Sequence, residues 1–77
     1  MDRAVLEQHL AEADLRVTQS ERHVCWQRGI VDGLAKDGHD TSASRILLRE
    51  FEHWLVVHTT HRDRLRLELT ALPVAPV

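Results

Sequence analysis

The chain is poor in residues that staple, punctuate or catalyse. In 77 residues there are one cysteine, one phenylalanine, no tyrosine, three glycines and two prolines. The single thiol, Cys25, rules out an internal disulfide and suits a reducing compartment. No apolar run approaches the roughly 20 residues of a membrane span. The opening Met1-Asp2-Arg3-Ala4 carries no signal-peptide core, so a cytoplasmic protein without membrane attachment is expected. Excess positive charge is also lacking. The net charge is −2 with the histidines neutral, whereas binding nucleic acid by phosphate neutralisation needs a clustered basic surface. Arg45, Arg49, Arg62, Arg64 and Arg66 do enrich the second half. Glu50, Glu52, Asp63 and Glu68 are interleaved with them, the pattern of a solvated helix face laced with ion pairs. A small nucleic-acid-associated regulator is therefore the weakest of the functional readings.

What is present is helical periodicity on either side of one interruption, Asp37-Gly38-His39-Asp40-Thr41, close to the midpoint. Gly38 can adopt the left-handed conformation that ends a helix. Lys36 places a cation at the negative end of the helix dipole. Asp40 and Thr41 are both good N-cap residues for a following helix. A stop and a start this close together force two helices to run antiparallel, side by side. The expected fold is all-α: a coiled-coil-like hairpin over residues 1–72, with a helix over 2–36, a turn over 37–41 and a helix over 41–71. Pro73 and Pro76 then end the second helix, and 73–77 forms a loose tail.

In the first helix, capped by Asp2, the positions Leu6, Leu10, Ala13, Val17, Ser20, Val24, Gln27, Val31 and Leu34 alternate four and three apart, a heptad seam interrupted only by Ser20 and Gln27. His9, Arg16, His23 and Ile30 line one side of it, and Glu7, Asp14, Glu21 and Arg28 the other. Glu12 and Arg16 stand at the spacing of a helical ion pair. Gly29 and Gly33 each cost the helix about 1 kcal/mol relative to alanine; the favoured reading is that they are tolerated near the helix end, the alternatives being a shallow groove that admits a close neighbour or a kink. In the second helix Ser44, Leu48, Phe51, Leu55, His58, Arg62, Leu65, Leu69 and Leu72 repeat the seam, with Leu47, Trp54, His61 and Glu68 beside it.

Folding the hairpin about its turn opposes residues whose numbers sum to about 78 or 79. Gln27 then meets Phe51, Ala13 meets Leu65, and Leu10 meets Leu69. Ser20 comes near enough to His58 for a buried hydrogen bond, and Arg62 comes within reach of Asp14 or Glu21. Polar layers of this kind fix register and oligomer state at some cost in stability. Ile46, Val56, Val57 and Leu67 fall on faces that two helices alone leave in water, and surplus apolar surface marks a partner. A homodimer closing into a four-helix bundle is expected, with Ile30, Leu47, Phe51, Trp54, His58 and His61 at the contact between copies. Parallel and antiparallel packing of the copies both fit the pattern, and another protein could be a further partner.

Six histidines raise the question of metal or haem. His58 and His61 are three apart on one face, and Glu50-Phe51-Glu52-His53 contains a Glu-x-x-His step. Di-iron bundles use two such steps and two further inward glutamates, and no Cys/His zinc spacing is present. His23, His53, His58 and His61 are the candidate ligands of this secondary reading; no metal or cofactor is expected in the leading one. Cys25 sits on the outer side of the seam with nothing to form a pocket or oxyanion hole, so no enzyme is expected.

Several segments resemble a group of short, uncharacterised bacterial helical-hairpin proteins. They are His9-Leu10-Ala11-Glu12-Ala13, Glu21-Arg22-His23-Val24, Gln27-Arg28, Gly38-His39-Asp40-Thr41, Leu47-Leu48-Arg49-Glu50-Phe51-Glu52 and His58-Thr59-Thr60-His61-Arg62-Asp63-Arg64-Leu65. The resemblance covers nearly the whole chain, and its most specific parts are the turn and the His-Arg-Asp-Arg-Leu segment. It implies the hairpin fold and no known activity. Cys25-Trp26 and Gly29 lie outside it.

Overall fold

A computed structural model describes residues 2–73. Two helices account for nearly all of them: α1, Arg3–Lys36, and α2, Ser42–Ala71. They run antiparallel as a rod of 65 × 13 × 13 Å. The expected tail over 73–77 falls, apart from Pro73, outside the described residues.

The turn follows from Gly38. Its φ of +74° is the only positive value in the described chain. With it, the His39 N–H reaches the Leu34 carbonyl at 2.9 Å and the Gly38 N–H the Ala35 carbonyl at 3.1 Å. That is the Schellman pairing, which satisfies carbonyls the helix end leaves free. The start of α2 differs from expectation in detail. Thr41 occupies the N-cap position without a side-chain cap bond; its hydroxyl accepts from Arg45 Nε at 2.8 Å. Asp40 does the capping work from one residue earlier, where Oδ1 accepts from the Ser42 N–H at 2.9 Å and the Ser42 hydroxyl at 2.7 Å. Those two bonds hold the Asp40 carboxyl below its ordinary value of 3.8. Asp2 likewise occupies the N-cap of α1 without a side-chain cap bond. The helices accordingly begin at residues 3 and 42, not 2 and 41.

The seam is the core. Leu6, Ala13, Val17, Ser20, Val24, Gln27 and Val31 are buried on α1, whereas α2 contributes only Leu65 to that class. The other α2 seam positions are half-buried. In the middle layers side-chain size accounts for the asymmetry: the longer Leu48, Leu55, His58 and Arg62 on α2 lie over the shorter Val31, Val24, Ser20 and Val17 on α1. The short ones are covered, and the long ones keep a wet edge. At the end far from the turn, Leu6, Ala13 and Leu65 form a cluster with Leu10, Leu69 and Leu72 around it, matching the expected Ala13–Leu65 and Leu10–Leu69 layers.

The polar layers resolve differently. Gln27, 2% exposed, donates from Nε2 to the Ser44 carbonyl at 3.0 Å. That reach toward the turn takes it away from Phe51, which instead meets His23. No hydrogen bond joins Ser20 to His58. Arg62 turns to Asp63 on its own helix at 3.1 Å, and Arg66 takes Asp14 at 3.4 Å. A flexible arginine stem can lie along the seam while its head leaves for water, which removes the need for the buried pair. Arg16 makes no ion pair with Glu12 and lines a groove instead. α1 continues unbroken past Gly29 and Gly33, and a Cβ at either would meet open space. Neither glycine is needed for close packing within the hairpin.

Candidate functional site

The heptad spacing divides the rod into two unlike flanks. On one, carboxylates and arginines answer each other across the helices: Asp14 to Arg66 at 3.4 Å and Arg28 to Glu52 at 3.6 Å. Both pairs repeat at fourteen residues on each helix, so they share a side. These pairs are exposed and contribute little to stability, but they fill that side with matched charge.

The opposite flank carries the aromatic and imidazole groups. Arg16 and His23, on the stripe that continues to Ile30, face Trp54, on the stripe shared by Leu47 and His61. A groove of about 310 Å³ opens between the helices here, lined by Arg16, Gln19, Ser20 and His23 from α1 and Phe51, Trp54 and His58 from α2. The His23 ring stands 5.5 Å from Phe51, and Trp54 stacks on His58 at 6.1 Å. No carboxylate lines the groove.

Of the six residues expected at a contact between copies, Phe51, Trp54 and His58 line this groove. Leu47 is exposed and Ile30 half-buried, one heptad toward the turn from Trp54 and His23 respectively. His61 lies on the other side of His58, in a shallow hollow with Val56, Val57, Thr60 and Arg64. Trp26 escaped the sequence reading of this surface. It lies one heptad beyond Gln19, so it extends the same α1 wall, and it is 67% exposed. The signal was available as that spacing. Ile46, Val56, Val57 and Leu67 are exposed, as expected for faces that the hairpin leaves in water.

The candidate metal ligands do not gather within one chain. His23 and His58 share the groove, His61 sits beyond His58, and His53 packs at the edge of Trp54 at 5.7 Å. Among the described residues no three His, Cys, Asp or Glu side chains are grouped to hold a metal ion. Cys25 is free and exposed. Among the described residues no helix is long and apolar enough to cross a membrane.

No protein-family model matches the chain, and neither a curated protein nor a solved structure does so.

Proposed function

We propose that the chain is a non-enzymatic interaction module that works as a homodimer, two hairpins closing across the aromatic flank into a four-helix bundle. The observation that supports this is the segregation of surface chemistry. Charge is paired across one flank, while Leu47, Trp54 and Trp26 lie in water on the other, around an open groove. Aromatic and arginine side chains around a groove that no carboxylate lines match the composition of an interface core. A hairpin of this length also has too little internal core to be robust alone, and a second copy supplies the missing burial. We propose with it a cytoplasmic setting and kinship with short bacterial hairpin proteins.

Sedimentation velocity of three proteins tests it. The wild-type chain is expected to dimerise at micromolar concentration. Leu47→Glu, on the aromatic flank, is expected to sediment as a monomer, because it introduces a buried unpaired charge at the contact. Asp14→Asn, on the ion-pair flank, is expected to dimerise like the wild type. Equal behaviour of the two variants would contradict the assignment of the flank.

A further inference from the structure

We infer that the groove is a binding site for a small aromatic carboxylate, one ring bearing one negative charge. Every lining residue belongs to a single hairpin, so the inference does not depend on the homodimer.

Two donors on the α1 wall have no partner within the chain. Ser20 is only 8% exposed, and it lines the groove. Thr18 and Thr70 donate their hydroxyls to a carbonyl of their own helix. Ser20 does not, and among the described residues nothing else bonds to its hydroxyl. Gln27, the other polar seam residue of α1, has its partner in the Ser44 carbonyl. A polar group in so buried a residue ordinarily has one. No fully enclosed side-chain polar atom lacks a partner among the described residues, so the free Ser20 hydroxyl keeps its access through the groove. Arg16, on the same wall, has no carboxylate partner among the described residues, whereas Arg28 and Arg66 do.

The ligand class follows from the walls. No carboxylate is among them, so nothing in the groove repels an anion or neutralises Arg16. A guanidinium does not lose its proton in proteins, which makes Arg16 the permanent cation of the site. One fixed charge on a planar fork of donors matches one carboxylate. Ser20, His23 and His58 add O–H and N–H donors. Phe51 and Trp54 supply ring surface, against which a flat ligand stacks. The volume, about 310 Å³, is at the low end of clefts that hold a small ligand. It limits the occupant to a ring system and its acid group.

Titration with benzoate, followed by the two indole N–H signals in the NMR spectrum, is the test. Trp54 lines the groove and Trp26 does not, so the Trp54 signal should move to saturation while the Trp26 signal stays. Acetate carries the acid group without the ring, and benzamide the ring without the charge. Each should bind about tenfold more weakly than benzoate or worse, since each lacks one of the two contacts. Arg16→Gln, at an exposed position, should weaken benzoate binding about tenfold or more, the loss typical of a charge-assisted hydrogen bond. Ser20→Ala should weaken it about threefold, and Asp14→Asn, on the ion-pair flank, should bind like the wild type. A Trp54 signal that never saturates, or that moves equally with acetate or benzamide, overturns the inference. So does a folded Arg16→Gln that binds benzoate like the wild type. The comparison of ligands uses the wild-type chain alone, so it decides even where a variant fails to fold. Failure here leaves the homodimer to be judged by sedimentation.

Discussion

Single residues at the turn and on α1 carry opposite expectations for the same kind of substitution. Gly38 has a φ of +74°, where a Cβ costs about 1–2 kcal/mol. Gly38→Ala should therefore lower the urea midpoint. Gly29 sits in ordinary helix with open space at its missing Cβ, and Gly29→Ala should raise stability by about 0.5–1 kcal/mol. Chemical denaturation of the two variants side by side checks both signs. Asp40 gives a pH dependence. Its carboxyl is held below the ordinary value of 3.8 by the hydroxyl and N–H of Ser42, so folding is favoured more when Asp40 is ionised. That contribution is present above the unfolded-state value and is lost as pH falls through the lower folded value. Asp40→Asn should consequently lose less stability than the wild type between about pH 6 and pH 3, as read from urea midpoints at the two ends.

At the scale of elements, hydrophobic spacing was a sufficient guide to which side of each helix is covered. Every four-three position from Leu6 to Leu34 and from Ser44 to Leu72 is buried or half-buried, because an apolar stripe at that period has one stable place, against its neighbour. Both the antiparallel turn and its glycine were legible for a similar reason, since few residues other than glycine accept positive φ. Partners of long polar side chains were not. Arg62, Arg16 and Gln27 each have several reachable partners within a flexible radius, and residue numbers alone do not decide among them. The wet edge of α2 was hidden too, because it depends on the difference in side-chain length between facing positions. Helix phase separates two leucines only two residues apart, about 200° around the axis. Leu65 is buried against Ala13 and Leu6, and Leu65→Ala should cost about 2–5 kcal/mol. Leu67 is 71% exposed, and Leu67→Ala in the isolated hairpin should stay within about 0.5 kcal/mol of the wild type. Thermal melts of both variants test the orientation of α2 directly.

At the scale of the whole molecule, the hairpin is a thin rod whose two sides differ in chemistry. The interhelical ion pairs occupy one side, and the groove with its aromatic rings occupies the other. The candidate contact residues can be named from the sequence because Phe51 and His58 lie on the seam and Ile30, Leu47, Trp54 and His61 on the stripes beside it, whereas the groove appears only once the helices are placed. The proposed dimer makes a claim about shape as well as mass, because two rods joined along a flank grow wider and hardly longer. Small-angle X-ray scattering of the wild-type chain reads both at once. The account expects a particle of twice the 8.9 kDa chain mass with a maximum dimension close to the 65 Å of one hairpin. A particle of the single-chain mass, or one of twice the mass and about twice the length, would contradict it.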